Sequence, residues 1–357
     1  MMEGKMKVNV GIIGCGSIAK VRHAPEYAAN PNVNEVVYYD RNPERAELLA
    51  KKYGGRVAYS QEEIMNDVTI DAISDCSANN SHHIVTSWAL ECGKHVLCEK
   101  PIAISTEEAE KMTLLAKKTG KILMIAHNQR FTNAHQKAKE IIQSGSLGKV
   151  LTFKTNFGHK GPEFWGVNKG NSTWFFKKDT SFLGVAGDLA IHKVDLLRFL
   201  LDDEIIEVSA YQGALDKKDE NGNAIEVCDN LVGILKTEKG ALGTASFSWS
   251  YYGDEDNSTI IYLEQGMVKI YTDPSIQLEV ITKKGEKIKY ELESESVQTS
   301  ENQINSGVID SFIESIIQNR EPEVTGEDGL IALRIVYAMI ESAESGQSVK
   351  INSLASL

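Results

Sequence analysis

A regular alternation of short apolar strands and capped helices over the first 126 residues most constrains what this chain can fold into. The predicted helices begin at caps such as Ser105, with Glu108 three residues on, and end at glycines such as Gly93 and Gly120. Six strands with helices between them predict an α/β domain built on a doubly wound parallel sheet with right-handed crossovers. The predicted strands cover residues 7–14, 36–39, 56–59, 70–76, 95–98 and 122–126.

A glycine-rich turn joins the first predicted strand to the first helix, and residues 14–19 read Gly-x-Gly-x-x-Ala. Glycines there permit a tight turn and let the backbone approach a pyrophosphate, whose charge is met by the helix N-terminus. The second strand ends in Asp40, where a dinucleotide fold places an acid that accepts hydrogen bonds from the adenosine ribose. Asp40 could instead cap a helix, but Asn42-Pro43 is a better helix start. Together the turn and the acid predict nucleotide binding.

The strand over residues 95–98 runs directly into Glu99-Lys100-Pro101. Pro101 fixes its own backbone angle and restricts Lys100 before it, so the lysine leaves the strand end in a defined direction. Open α/β sheets bind ligands at this carboxyl edge. The alternative for an arbitrary Glu-Lys-Pro is a solvated surface lysine. The surrounding motifs favour a role at the ligand site.

The second half of the chain has longer strands that follow one another with short turns, which predicts a large, mostly antiparallel open sheet in an α+β domain. We therefore divide the chain into a nucleotide-binding domain over 1–127 and a substrate-binding and oligomerisation domain over 128–357, whose final helices could pack back on the first domain. An open sheet face predicts self-association as a homodimer or homotetramer. The predicted strands cover residues 150–157, 205–212, 230–236, 241–249, 259–263 and 267–272.

A predicted helix over 186–201 carries Asp188, His192 and Asp195 at a spacing that places them on one helix face. A histidine one turn from a carboxylate can have its tautomer and basicity set by it, which suits a general base near neutral pH. Three other interpretations stay open: an ordinary polar helix face, a divalent-metal site, or a histidine satisfied in the core.

Aromatic residues lie between the first long strand of the second half and this helix, among them Trp165 and Trp174. Their rings could stack on the C–H face of a sugar or cyclitol while His159 reaches its hydroxyls. The alternative is that they pack a loop against the sheet.

The formal charge of −12 makes nucleic acid or an anionic membrane an improbable main partner. The five cysteines are odd in number and contain no Cys-x-x-Cys pair, which argues for reduced thiols and a cytoplasmic location.

Taken in order, these motifs resemble one family, the Gfo/Idh/MocA oxidoreductases, which include glucose-fructose oxidoreductase and inositol dehydrogenase. Two positions depart from the family pattern: Ser77-Ala78-Asn79 replaces Thr-Pro-Asn, and Ala190 stands where a glycine is frequent. The motifs are Gly14-x-Gly16-x-x-Ala19, Asp40, Ser77-Ala78-Asn79-x-x-His82, the run from Gly93 to Pro101, Asn128-x-Arg130-Phe131, Gly145-x-Leu147-Gly148 and Asp188-x-x-x-His192.

The resemblance implies a Rossmann domain that binds NAD and hydride transfer between its nicotinamide and a ring carbinol carbon of a sugar or cyclitol. It places the family's active-site lysine, aspartate and histidine on Lys100, Asp188 and His192. The substrate residues are then Lys100, His159, Trp165, Trp174, Asp188 and His192. The cofactor residues are Gly14, Gly16, Ser17, Ile18, Asp40, Arg41, Ser77, Asn79, His82, Glu99, Lys100, Asn128 and Arg130.

Several alternatives stay open at this point. Asp40 favours NAD because a carboxylate would repel a 2′-phosphate, whereas Arg41 could accept that phosphate and make NADP possible. A glycosidase that uses NAD for transient oxidation, a non-catalytic nucleotide-sensing regulator and a metal-dependent dehydrogenase are the competing functions.

Overall fold

The computed structural model describes residues 7–166, 169–292 and 305–351. Within these ranges the chain divides into two compact units. The first contains the described residues up to 128 together with 305–330, and the second contains 129–292 together with 331–351. The assignment of nucleotide binding to 1–127 and of substrate binding and oligomerisation to 128–357 stays a prediction.

The first unit is built on a six-stranded sheet with the order β3-β2-β1-β4-β5-β6, in which all neighbouring strands are parallel. The strand order reverses between β1 and β4, which is the point where such sheets bind ligands. The predicted doubly wound sheet is confirmed. Its strands are β1 (Val8–Ile13), β2 (Val33–Tyr39), β3 (Arg56–Val57), β4 (Ala72–Asp75), β5 (His95–Cys98) and β6 (Leu123–Ile125).

Capping side chains set the helix boundaries of this unit as the sequence predicts. Ser105 Oγ accepts a hydrogen bond from the backbone N–H of Glu108, and Gly120 ends the same helix with a positive φ of 65°. Ser60 Oγ accepts from Glu63 N in the same way. The helices are α1 (Ala24–Ala29), α2 (Pro43–Tyr53), α3 (Gln61–Asn66), α4 (His82–Glu91) and α5 (Thr106–Thr119), and a π-helical turn (Ala19–His23) precedes α1.

The second unit contains a nine-stranded sheet with the order β14-β13-β12-β11-β7-β10-β9-β8-β15. Its neighbouring strands are antiparallel except for β7 and β10, which run parallel. The predicted large, mostly antiparallel sheet is therefore confirmed. The elements are α6 (Asn133–Gln143), β7 (Val150–Gly158), α7 (Lys178–Ser181), α8 (Ile191–Leu201), β8 (Ile205–Gly213), β9 (Asn230–Thr237), β10 (Leu242–Ser248), β11 (Thr259–Leu263), β12 (Gly266–Asp273), β13 (Ile276–Thr282), β14 (Lys287–Tyr290) and β15 (Val349–Lys350).

Two further helices follow the sheet, α9 (Val308–Gln318) and α10 (Gly326–Ser345). Across the parts of the chain that the structure describes, we find no helix with the length and apolar character needed to cross a membrane.

The helix predicted over 186–201 differs from expectation at its start. Residues Ala186–Ala190 form a π-helical turn, and the α-helix α8 begins only at Ile191. The backbone N–H of Ile191 donates to the carbonyl of Ala186, five residues back. The prediction of one continuous α-helix over 186–201 was therefore wrong. Asp188 lies in the wider π-helical turn, and such turns are frequent at functional sites.

Candidate active site

The carboxyl ends of the parallel strands in the first unit carry most of the predicted cofactor residues. Gly14 follows β1, Asp40 follows β2, Ser77 follows β4, Lys100 follows β5 and Asn128 follows β6. Because neighbouring strands run in the same direction, all five positions fall on the same edge of the sheet. The structure thus brings them to the edge where a doubly wound fold binds its ligand.

The two glycines of the glycine-rich turn have different structural roles. Gly14 adopts a φ of +93°, and a Cβ there would lie 2.4 Å from the carbonyl oxygen of Cys76. A Cβ on Gly16 would meet no described atom within 4 Å. Gly14 is needed to make the turn, whereas Gly16 leaves open space beside the backbone. Ser17 and Ile18, both half-buried, lead from this turn into the helix, and the arrangement fits a pyrophosphate.

Asp40 organises the same turn through its carboxylate. Its Oδ2 accepts the backbone N–H of Cys15 at 2.8 Å, and its Oδ1 accepts that of Asn42 at 2.8 Å. Burial and the nearby charge of Asp40 raise the pKa of the Cys15 thiol to about 12, so this cysteine stays protonated. Arg41 is exposed beside it.

The loop after β4 is held by buried Asp75. Ser77 donates to its Oδ1 through both the backbone N–H and the hydroxyl, and Thr86 donates to its Oδ2. His82 contacts two backbone carbonyls, Pro101 O through Nδ1 at 2.8 Å and Ser77 O through Nε2 at 3.2 Å. His82 therefore links the loops that follow β4 and β5. Half-buried Asn79 begins a short 3-10 turn at the same edge.

Glu99 is almost fully buried, and its carboxylate contacts two basic residues that the sequence analysis missed. His23 Nε2 lies 2.8 Å from Glu99 Oε1, and Arg22 Nη1 lies 3.7 Å from the same oxygen. Burial raises the pKa of Glu99, but the hydrogen bond from His23 and the charges of His23, Arg22 and Lys100 outweigh it and lower the pKa to about 2. Glu99 is thus a fixed anion directly before half-buried Lys100. Seventy-six positions separate His23 from Glu99, so no local sequence pattern reveals the pair.

Arg130 belongs to the second unit, where its guanidinium forms a buried bidentate ion pair with Asp195. The Nε–Oδ2 distance is 2.8 Å and the Nη2–Oδ1 distance is 2.6 Å. Asp195 therefore has both oxygens bound by Arg130, and its predicted helix face shared with Asp188 and His192 stays a prediction. A cofactor contact of Arg130 stays a prediction, as does one of buried Asn128 in the first unit.

Asp188 is positioned by an indole that the sequence analysis did not single out. Trp249, fully buried just after β10, donates its Nε1–H to Asp188 Oδ2 at 3.0 Å. His159 Nε2 lies 4.0 Å from the same oxygen. Since His159 Nδ1 accepts the backbone N–H of Gly161, the neutral ring carries its proton on Nε2, facing the carboxylate.

His192 lies in the first turn of α8, directly after Ile191, and is 9% exposed. Its ring centroid lies 6.0 Å from that of Phe157, at the end of β7, and the Phe157 ring lies 6.2 Å from the His159 ring. The structure therefore brings Asp188, His192 and His159 into one neighbourhood of the second unit.

The predicted aromatic residues form a continuous cluster beside these side chains. The Trp165 ring lies edge-on to the rings of His159 and Phe175, with centroid distances of 6.1 Å and 5.0 Å. The Phe175 ring stacks on that of Trp174 with a centroid distance of 3.9 Å. Phe175 also contacts Trp249 at 6.3 Å. Trp165 remains 38% exposed, which leaves an aromatic surface next to the polar groups.

Two further ionisable groups of the second unit, Lys193 and Glu255, were also missed. Lys193 is fully buried and donates to Asn257 O and Thr259 Oγ1, and its burial lowers the pKa to about 7. Burial, with the charges of Asp256 and Asp188, raises the pKa of Glu255 to about 8 against the opposing charge of Lys193. Displaced pKa values of this kind concentrate at functional sites. For the metal alternative, the described residues contain no group of three His, Cys, Asp or Glu side chains placed to hold a metal ion.

Two family models match the chain. Residues 8–127 match an oxidoreductase family with an NAD-binding Rossmann fold, and residues 135–269 match the GFO/IDH/MocA C-terminal domain. The chain belongs to the Gfo/Idh/MocA oxidoreductases. The predicted family is therefore confirmed. Its members are oxidoreductases whose N-terminal Rossmann domain binds NAD.

Relatives within the Gfo/Idh/MocA family align over nearly the whole chain. The myo-inositol 2-dehydrogenase of Thermotoga maritima is 26% identical, covering 97% of this chain and 99% of its own. The D-glucoside 3-dehydrogenase of Escherichia coli is 26% identical, covering 96% and 97%. A levoglucosan dehydrogenase solved with NADH and levoglucosan is 23% identical with a TM-score of 0.86, covering 97% of this chain and 100% of that one, and shares its fold.

Proposed function

We propose that this protein is an NAD-dependent dehydrogenase or reductase that acts on a ring hydroxyl or ketone of a sugar, a cyclitol or a sugar derivative. The observation that carries the proposal is the grouping of Asp188, His192 and His159 beside the aromatic cluster. Relatives of the same family bear the names myo-inositol 2-dehydrogenase and D-glucoside 3-dehydrogenase, which supports a polyhydroxylated ring as substrate.

A nicotinamide cofactor held by the residues at the sheet edge of the first unit would supply hydride transfer to or from the reacting carbon. His192 takes the proton of the substrate hydroxyl during oxidation and returns it during reduction. Lys100 hydrogen-bonds the same oxygen and stabilises the negative charge that develops on it. Asp188, held by Trp249, orients the substrate and the histidine.

For the cofactor, the open space at Gly16 and the loops after β2, β4 and β5 support binding of a dinucleotide along the sheet edge. We assign to this task Gly14, Gly16, Ser17, Ile18, Asp40, Arg41, Ser77, Asn79, His82, Glu99, Lys100, Asn128 and Arg130. The carboxylate of Asp40 supports NAD over NADP, because it would repel a 2′-phosphate.

For the substrate, the exposed edge of Trp165 and the stacked pair of Trp174 and Phe175 support packing against the C–H face of a sugar ring. His159 then reaches a hydroxyl through the Nε2 proton that faces Asp188. The side chains that would contact substrate are Lys100, His159, Trp165, Trp174, Asp188 and His192.

For assembly, we propose a homodimer or homotetramer that uses the outer face of the nine-stranded sheet. Tyr211, Val232, Ile234 and Leu242 are 79%, 52%, 58% and 51% exposed on three adjacent strands. Apolar residues grouped in this way are typical of an interaction surface.

The reduced cysteines support a cytoplasmic location.

The experiment is a screen of polyols, keto sugars and glycosides, with nicotinamide absorbance followed in the presence of NAD or NADP. The proposal predicts a stoichiometric change in absorbance with at least one ring polyol or its ketone. Hydrolysis of a glycoside without a net absorbance change would assign the protein to the glycosidases that use NAD transiently. Nucleotide binding without turnover of any compound would favour a sensor, and metal analysis of the purified protein tests the metal-dependent alternative.

A further inference from the structure

Four buried polar side chains of the first unit form a hydrogen-bonded row that ends at Glu99, the residue before Lys100. Tyr27 OH donates to Ser74 Oγ at 3.2 Å, Ser74 Oγ lies 2.7 Å from His23 Nδ1, and His23 Nε2 lies 2.8 Å from Glu99 Oε1. Tyr27, Ser74 and His23 are at most 1% exposed, and Glu99 is 6% exposed. Side chains from α1, the adjoining π-helical turn and β4 are thus connected by hydrogen bonds to the carboxylate of Glu99, which follows β5.

The direction of each hydrogen bond follows from the chemistry of the two ends. An ionised Glu99 only accepts, so His23 carries a proton on Nε2. A charged ring also donates from Nδ1 to Ser74 Oγ, whereas a neutral ring accepts the Ser74 hydroxyl proton at Nδ1. In both forms the Nε2 proton points toward Glu99, and the hydrogen bonds at the two ring nitrogens fix the orientation of His23.

Glu99 passes this constraint to the next residue. Its second carboxylate oxygen, Oε2, accepts the backbone N–H of Lys100 at 3.2 Å, and its own backbone N–H donates to Asp75 O at 3.0 Å. The Lys100 backbone is thus tied to a carboxylate whose position depends on His23.

We propose that His23 is a positioning residue, which holds Glu99 so that the Lys100 ammonium stands at the reacting oxygen of the substrate. This inference rests on the proposed function for its kinetic consequence. His23 touches neither substrate nor cofactor in this proposal and acts only through Glu99. A positioned group displaced by about 1 Å can lose roughly 100-fold in rate, which sets the size of the expected effect.

The test compares His23→Leu, which removes both ring nitrogens, with His23→Gln, which keeps a side-chain N–H donor for Glu99. The matched control is His95→Gln at the opposite, amino end of β5, where His95 Nδ1 accepts the backbone N–H of Ile122. We measure kcat and KM for the best polyol of the screen, the dissociation constant of NADH by fluorescence, and the crystal structure of each variant beside that of the wild type.

We expect kcat of His23→Leu to fall by roughly 100-fold, His23→Gln to recover at least a third of the wild-type value, and NADH affinity to stay within twofold in both. His95→Gln should leave kcat unchanged. In the His23→Leu crystal structure, Lys100 should shift by about 1 Å. Should His23→Leu fail to fold, the inference requires Ser74→Ala, which removes the partner that orients the ring, to lower kcat while NADH affinity stays within twofold.

Unchanged kcat in a folded His23→Leu protein, or an unmoved Lys100 in its structure, would overturn the inference. The structural comparison decides this even without turnover. Failure of the proposed function has a different signature, which is a wild-type protein that oxidises or reduces no polyol with either nicotinamide.

Discussion

At the scale of single residues, the candidate chemistry depends on side chains whose partners lie far along the chain. Asp188 is held by Trp249, 61 positions away, and Glu99 by His23, 76 positions away. Both contacts place a carboxylate with one defined orientation, which is a condition for precise interaction with a substrate or a neighbouring lysine.

Replacing Lys100 with alanine should remove most turnover and leave cofactor binding in place. The ammonium is proposed to stabilise charge on the reacting oxygen, and loss of one such group costs roughly 100- to 1000-fold in kcat. The measurement is kcat for the active polyol together with the dissociation constant of NADH. Lys118→Ala, an exposed position near the end of α5, is the control. Near-normal turnover of Lys100→Ala would discard the role given to this lysine.

Buried His135 should make the protein less stable as the pH falls below 6.5. Burial, aided by the charge of Lys193, lowers its pKa to about 3, so the folded state excludes a proton that the unfolded chain binds. Its stabilising contribution is therefore complete above the unfolded pKa of about 6.5 and is lost as the pH falls toward 3.

Between pH 7 and pH 5 the exclusion of a proton from His135 lowers the free energy of unfolding by on the order of 2 kcal/mol. Urea unfolding of the wild type and of His135→Gln at both pH values measures it. The variant should lose less stability than the wild type over this interval. An equal loss in the two proteins would show that His135 does not titrate as described.

The sequence revealed the residues of the site better than their contacts. The glycine turn, Asp40, Lys100, Asp188 and His192 could be proposed from local patterns, because each follows a strand or opens a helix. Trp249 and His23 could not, since a hydrogen bond between residues more than 60 positions apart leaves no mark on local spacing.

At the scale of secondary-structure elements, turns and caps follow from local chemistry, whereas changes of helix type do not. The cap at Ser105 forms as predicted and Ser60 forms a cap in the same way, because each side-chain oxygen accepts a hydrogen bond from a backbone N–H three residues on. The π-helical turns at Ala19–His23 and Ala186–Ala190 depend on packing around them and were not predicted. One contains His23 and the other contains Asp188.

The two glycines of the first turn should respond differently to alanine. Gly14→Ala places a Cβ 2.4 Å from Cys76 O at a φ of +93°, so we expect a loss of about 1–3 kcal/mol in the free energy of unfolding and loss of NADH binding. Gly16→Ala meets no described atom, so stability should hold while NADH affinity falls by at least tenfold. Urea unfolding and NADH fluorescence measure both quantities. Unchanged affinity in Gly16→Ala would place the pyrophosphate elsewhere.

At the scale of the whole molecule, the division into a parallel α/β sheet and a mostly antiparallel sheet was predictable from strand spacing. The parallel pairing of β7 with β10 could not be predicted. The two strands are neighbours in the sheet but lie far apart in sequence, so no turn between them indicates the pairing. The strand β14 was also missed, because a four-residue strand with two lysines resembles a surface loop. The seven-residue strand β13 was missed although its apolar and polar residues alternate as in a strand.

A charge on the outer face of the nine-stranded sheet should dissociate the assembly. Ile234 is 58% exposed in β9, next to exposed Val232, so a glutamate there would bury an unpaired carboxylate in the proposed interface. Light scattering after size exclusion should show a homodimer or homotetramer for the wild type and a smaller species for Ile234→Glu. Leu48→Glu, at a 65% exposed position of α2, is the matched control. An unchanged mass for Ile234→Glu would move the interface to another surface.

The most direct test of the central claim is a crystal structure of the protein with NADH and the polyol or ketone identified by the screen. We expect Lys100 Nζ and His192 both to lie within about 3.2 Å of the same substrate oxygen, with the attached carbon facing C4 of the nicotinamide. A complex in which those two side chains contact different parts of the ligand, or in which the dinucleotide lies away from Gly16, would contradict it.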